Sequence, residues 1–379
     1  MKNKIRSSCF LMAIFVGISI LTTDAFAQDT QIKKKDVLRI MEKAADWQLQ
    51  SMKEKKPRNI GNWEYAVGYT GIYELSRLSK NKSYRDSLFS IGEKLKWQTG
   101  RDRFHADEYC IGQLYSLLYM EKKDERLIAN FKGLADSIVT KPHTESLAWK
   151  NKIGSREWAW CDALFMGPPA LGYLTTATGD MKYLDIATKL WWKTTDFLYD
   201  TSEHLYFRDE SNFKKREANG AKVYWSRGNG WVLAGLVRLL QNMPANYEGR
   251  QRFEALFKEY SNRISQLQQQ DGTWHSSLLA QDIYASKETS GTGLFCYALM
   301  WGVNNGLLDS KTYLPVITKS WSALTSCVGE TGKLGYVQQV ADSPGLVDEN
   351  STKVYGVGAF LLAGSEIYKY LDKHKKFSY

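Results

Sequence analysis

The chain has little of what marks many function classes. Of 379 residues, 5 are Cys, 5 are His and 7 are Pro. The cysteines form no CxxC pair and no zinc-spaced set with histidine, and the scattered histidines include no HExxH. A metal site therefore has no support in the sequence, and no cofactor motif stands in its place. Gly228-Asn-Gly230 is followed by Leu233 where a dinucleotide fingerprint needs glycine, and no strand precedes it. No apolar run is long enough and suitably flanked to make a good membrane span. No nucleic-acid-binding motif is recognisable. So few prolines, with 29 glycines, leave little room for long flexible linkers.

What is present is an ordinary globular composition, 43% hydrophobic and 24% charged. Aromatics reach 13%, with 13 Trp and 22 Tyr, more than core packing needs, which points to a site that stacks on flat or ring-shaped ligands. The formal charge of +10 would draw an acidic ligand, although the lysine-rich stretches at 33–35, 53–56 and 373–376 read as solvated surface. Lys2, Lys4 and Arg6, an apolar run from Phe10 to Leu21, and Ala25-Phe26-Ala27 have the form of a secretory signal. The expectation is a signal peptide over 1–27 and one domain over 28–379, exported and most simply periplasmic, with no membrane insertion after cleavage. Export permits disulfides. Cys110, Cys161 and Cys296 nevertheless sit in apolar helical patterns that favour buried thiols; the state of Cys327 stays open.

The rest reads as helix after helix. Leu184, Ala187, Leu190, Trp191, Thr194, Phe197 and Leu198 form one apolar stripe; Phe253, Leu256, Phe257, Tyr260, Ile264 and Leu267 form another. Other segments are apolar nearly all round, such as 231–237, 294–301 and 359–363, and must be buried on every side. These buried segments share an opening of polar or aromatic residues with one or two glycines. Six such openings recur: 63–68, 108–112, 160–167, 225–230, 288–293 and 355–358. Six inner and six outer helices predict an all-α, (α/α)6 barrel, a six-hairpin toroid; an open solenoid of helix pairs is the alternative. In a toroid the inner-helix starts converge on one aromatic, polar cavity.

Within these starts, Asp162 in Trp160-Cys161-Asp162 is an acid among apolar neighbours. Burial would raise its pKa and suit it to general-acid work, while a helix N-cap is the plain structural alternative. Asp107 and Glu108 precede another inner helix; either can cap it or complete a carboxylate pair of the kind that works on glycosidic bonds. Arg227 lies between Trp225 and Trp231, an arrangement suited to a carboxylate and a sugar face, or to an internal salt bridge.

The runs Tyr224-Trp-Ser-Arg-Gly-Asn-Gly-Trp-Val232, Trp160-Cys-Asp-Ala-Leu-Phe-Met-Gly-Pro-Pro169, Glu288-Thr-Ser-Gly-Thr292 and Val354-Tyr-Gly-Val-Gly-Ala-Phe-Leu-Leu-Ala-Gly364 resemble the unsaturated glucuronyl and rhamnogalacturonyl hydrolases of glycoside hydrolase families 88 and 105, the last two runs being closer to family 105. The resemblance covers nearly all of the chain beyond residue 27. It implies an (α/α)6 barrel that needs no cofactor or obligate protein partner and acts on lyase-generated oligosaccharides ending in a 4,5-unsaturated uronate. It implies Asp162 as proton donor and water activator and Asp107 as second carboxylate, with Glu108 the alternative register. Trp160, Arg227, Trp231, Trp63 and Trp225 would bind substrate, with Arg208 standing where family 105 members carry a histidine. The histidine–lysine pair of those enzymes has no clean match in 148–157, which leaves the sugar beyond the uronate open. A conventional glycosidase, a polysaccharide lyase on the same toroid, and a non-catalytic glycan-binding protein are the alternatives.

Overall fold

A computed structural model describes residues 32–148 and 157–374. The expected signal peptide and most of the 148–157 stretch lie outside the described residues. Among the described residues the chain runs α1 (Lys34–Lys55), α2 (Trp63–Leu78), α3 (Ser83–Lys94), α4 (Cys110–Lys122), α5 (Ala129–Thr140), α6 (Ala163–Met166), α7 (Pro168–Thr178), α8 (Lys182–Leu198), β1 (Tyr199–Asp200), β2 (Leu205–Tyr206), α9 (Ser226–Leu240), α10 (Arg250–Gln266), α11 (Thr289–Asn304), α12 (Ser310–Ser326) and α13 (Val354–Lys373).

The inner ring is α2, α4, α6 with α7, α9, α11 and α13. Each packs on the next, and α13 packs back on α2, so the ring closes. Helices α1, α3, α5, α8, α10 and α12 cover it. The molecule is thus a closed (α/α)6 toroid, not an open solenoid. The division follows from sequence. Every residue of α9 from Ser226 to Leu240 is buried, as apolar character all round requires. Outer α8 buries Leu184, Ala187, Leu190, Trp191 and Leu198, and leaves Asp185 and Lys189 in water.

Local chemistry sets the helix starts. The Asn62 side chain accepts from the Tyr65 amide to open α2, and Asp309 accepts from the Thr312 amide to open α12. The third inner helix is broken into α6 and α7 at Gly167-Pro168-Pro169, because proline disfavours helix in the residue before it and suits the first turn after it. Ring closure needs glycine at one crossing. A Cβ on Gly71 would lie 2.5 Å from the Gly358 carbonyl oxygen, and one on Gly358 would lie 2.5 Å from that of Val67. Far from the inner-helix starts, buried Arg238 donates to the Gln113 side chain at 2.6 Å, and Lys369 pairs with Glu74 and Glu366.

Cys110, Cys161, Cys296 and Cys327 are all free and buried. No helix among the described residues is long and apolar enough to cross a membrane.

Candidate active site

The starts of the first three inner helices and two loops surround a cavity of about 420 Å³ lined by Trp63, Asp107, Trp160, Asp162, Met166, Arg208 and Val340-Ala341-Asp342. Five of the eight residues singled out in sequence for the site lie on this wall: Asp162, Asp107, Trp160, Trp63 and Arg208.

Asp162 sits at the start of α6 but accepts no capping hydrogen bond from it, so the plain N-cap role does not hold. Its side chain is 13% exposed, and the nearest Arg208 nitrogen, Nε, is 3.6 Å from Oδ2. Burial raises its pKa; the positive charges of Arg208 and Arg227 oppose the rise without cancelling it. Asp107 lies in the short turn that leads into α4. Burial, resisted by His105 and reinforced by the charge of Asp162, pushes its carboxyl up to about 6. The two acids thus form an interacting pair that holds a proton to higher pH than isolated aspartates do. Arg208 is anchored by Asp209 at 2.7 Å, which keeps its guanidinium beside the pair.

Glu108 diverges from its neighbour. It does not line the cavity, and its carboxylate fills the space beside Gly100, where a Cβ would fall 0.6 Å from Glu108 Oε2. Of these two neighbours, Asp107 is the one that lines the cavity. His105, which sequence reasoning did not single out, lies 3.8 Å from Asp107 and 3.9 Å from Glu108, with its ring 5.8 Å from that of Trp160. Its position two residues before Asp107 was the only signal.

Arg227, Trp225 and Trp231 are not among the residues that line the cavity. Arg227 is fully buried and donates to the carbonyls of Gln338 at 2.8 Å and Gln339 at 2.9 Å. It lies between the rings of Trp225 and Tyr355, at 4.5 and 5.0 Å. The Trp225 indole N–H donates to the Gln338 side chain, and Glu288, the N-cap of α11, accepts from the Gln338 amide. Trp231 packs edge-on against Trp63, and Tyr355 stacks on Trp63 at 5.2 Å. These residues hold the cavity wall from behind. Asn229 performs the same service on the other side: its side chain pairs with both the amide and the carbonyl of Tyr206, fixing the β1–β2 hairpin that leads to Arg208. The Arg208 carbonyl in turn accepts from the Cys161 amide. The 224–232 run is thus the fastening for two loops, one bearing Arg208 and one bearing Val340 to Asp342.

The wall at 340–342 was not foreseen. It belongs to the long connection between α12 and α13, and nothing local in Val-Ala-Asp marks it as a site. No group of three or more His, Cys, Asp or Glu able to hold a metal occurs among the described residues.

Comparison with known proteins agrees with this fold. The model of Glycosyl Hydrolase Family 88 matches residues 32–371. The chain is 38% identical over 321 residues to an unsaturated 3S-rhamnoglycuronyl hydrolase of Formosa agariphila, covering 81% of this chain and 84% of that protein. It is 31% identical over 405 residues to a protein of the same name from Alteromonas sp. (strain LOR), covering 96% and 98%. Among solved structures, a family 88 glycosyl hydrolase from Bacteroides vulgatus superposes with a TM-score of 0.82 at 29% identity, over 90% of this chain and 100% of that one. A structure described as a polysaccharide lyase superposes with a TM-score of 0.81 at 30% identity, over 89% and 98%. The chain belongs to glycoside hydrolase family 88, within the group of unsaturated glucuronyl and rhamnogalacturonyl hydrolases.

Proposed function

For a member of this family, we propose removal of a 4,5-unsaturated uronic acid from the non-reducing end of oligosaccharides left by a polysaccharide lyase. The observation that carries the reading is the Asp162–Asp107 pair, raised by burial, in a cavity walled by Trp63 and Trp160 with one fixed arginine. Protonated Asp162 delivers its proton to C4 of the enol-ether double bond. Water adds at C5 and returns a proton to the Asp162 carboxylate. The hemiketal so formed opens by breaking the bond from C5 to the ring oxygen. The anomeric carbon then releases the next sugar as an alcohol, and one water is consumed overall. Asp107 orients the sugar and keeps the shared proton on the pair. Arg208 neutralises the carboxylate that forms on Asp162 and attracts the uronate, while Trp63 and Trp160 flank the ring.

The names of the two curated relatives favour a rhamnose beside the uronate as the first substrate to try. A leader of the secretory type fits such a substrate, which arises outside the cytoplasm. The likeness to a polysaccharide lyase favours a second reading, and ultraviolet absorbance of the conjugated double bond separates the two. Hydrolysis of an unsaturated uronyl–rhamnose disaccharide removes the absorbance; β-elimination on the saturated polymer creates it. Loss of absorbance supports the proposal, and gain alone overturns it.

A further inference from the structure

The cavity wall at Val340 to Asp342 hangs between two anchors. One is Gln338, held by Trp225, Arg227, Glu288 and Tyr355. The other is Gly345, held by Ser276. The Ser276 hydroxyl donates to the Gly345 carbonyl at 2.6 Å and accepts from the Gly345 amide at 3.1 Å. Ser276 is itself tied to the start of α9, where its carbonyl accepts from the Ser226 amide at 2.8 Å. Between the anchors, residues 339–342 are exposed, so the anchors set where the wall stands.

Ser276 follows His275, whose side chain is 11% exposed. The ring Nδ1 lies 2.8 Å from the Gln281 carbonyl oxygen, and Nε2 lies 3.3 Å from Oδ2 of Asp271. A carbonyl has no proton to give. Asp271 has none either: burial pushes its carboxyl up, but hydrogen bonds from His275 and Thr273 hold it well below the usual carboxylate range. A neutral imidazole has one N–H and satisfies one of two acceptors; an imidazolium has two and satisfies both. The ring therefore fits this place as the cation. Burial alone lowers the His275 pKa, but the bonds to Asp271 and Gln281 outweigh it and raise the pKa above 6.5. Cys327, just past α12, feels the charges of Lys287 and Asp271, and burial pushes its thiol up, so it stays neutral where His275 titrates. Glu217, next outward, accepts from the Ser277 hydroxyl at 2.8 Å.

We propose that His275 is a positioning residue for the substrate wall: as the cation it clasps the 271–281 turn and, through Ser276 and Gly345, holds Val340 to Asp342 at the cavity. As the neutral ring it sets a lone pair against one of its two acceptors and releases that end of the clasp. The proposal rests on the hydrolase reading of the cavity. Because the folded-state pKa is raised, the clasp is complete below 6.5 and is lost as pH rises through the raised value. The consequence is a KM that climbs with pH, separate from the effect of the aspartate pair on kcat.

The test joins NMR to kinetics. The ring C–H signals of His275, assigned by their loss in His275→Gln, are expected to titrate above 6.5 in the wild type and lower in Asp271→Asn. Between about pH 6 and about pH 9, the wild-type KM for an unsaturated disaccharide is expected to rise about three- to fivefold. In Asp271→Asn the rise moves to lower pH. In Ser276→Ala the His275 titration remains, but KM is high throughout and no longer follows it. A His275 titration at or below 6.5, a flat wild-type KM, or the same rise in Ser276→Ala overturns the proposal. If no unsaturated saccharide is turned over, the hydrolase reading fails by itself. A fluorophore on Val340→Cys then decides the clasp without substrate, the four cysteines of the fold being buried. Probe mobility that rises with the His275 titration supports the clasp, and mobility independent of pH overturns it.

Discussion

Replacing Arg227 by methionine separates a residue that touches substrate from one that fastens a loop. The guanidinium makes two charge-assisted hydrogen bonds, to the carbonyls of Gln338 and Gln339, and lies between two aromatic rings. Hydrogen bonds to charged groups are worth about 1.5–3 kcal/mol each. Gln338 keeps a second donor in the Tyr355 hydroxyl, whereas the Gln339 carbonyl accepts from Arg227. With methionine retaining much of the stacking area, the net cost is about 3–5 kcal/mol. At ~2.1 cal/mol/K per residue over roughly 340 residues, the unfolding entropy converts this to a fall in Tm of about 4–7 °C. Differential scanning calorimetry reads the shift, and steady-state kinetics read the loosened 340–342 wall as a raised KM. A Tm within about 1 °C of wild type, together with a raised KM, would show that Arg227 spends its charge on substrate and would refute the fastening role.

Other consequences follow from the same contacts. In Asp107→Asn, the alkaline limb of the kcat/KM profile moves to lower pH, because Asp162 loses the neighbouring charge that helps it keep a proton; an unmoved limb would mean that the pair is not coupled. The same variant is stabilised, more at pH 8 than at pH 5. A carboxyl raised from 3.8 to about 6 disfavours the fold progressively as pH rises through that interval and fully above it, so melting curves at the two pH values check the sign. Gly358→Ala forces a Cβ against the Val67 carbonyl at 2.5 Å and is expected to lower stability by about 1–3 kcal/mol in urea titration. A thiol reagent is expected to modify Cys110, Cys161, Cys296 and Cys327 only after denaturation, and reductant to leave Tm unchanged, since all four are buried and free.

The barrel was legible because burial on all sides leaves a plain mark. Runs such as Leu294–Trp301 carry no polar face, whereas α8 and α10 do, and the alternation counts the hairpins directly. Closure was less legible, because it depends on α13 meeting α2 across the length of the chain, at Gly71 and Gly358. In the site, Asp162, Asp107, Trp160 and Trp63 stand at helix starts that the toroid must bring together. Arg227 was harder to read, because an arginine between two tryptophans looks alike whether it faces a sugar or a carbonyl 111 residues away. The choice between Asp107 and Glu108 turned on Gly100, a contact that no local pattern carries. Val340 to Asp342 lie in a long connection whose path is set by Gln338, held by Trp225, Arg227, Glu288 and Tyr355 from three separate helix starts.

The central claim is that Asp162 protonates C4 while water adds at C5. Turnover of the unsaturated disaccharide in deuterated water enriched in oxygen-18, followed at once by NMR and mass spectrometry of the released uronate, tests it directly. The account predicts one deuterium at C4 and solvent oxygen entering at C5. Asp162→Asn is expected to lose about 10²–10⁴-fold in rate with the disaccharide still bound. Release of the uronate with no deuterium at C4, or turnover in Asp162→Asn near the wild-type rate, would contradict it.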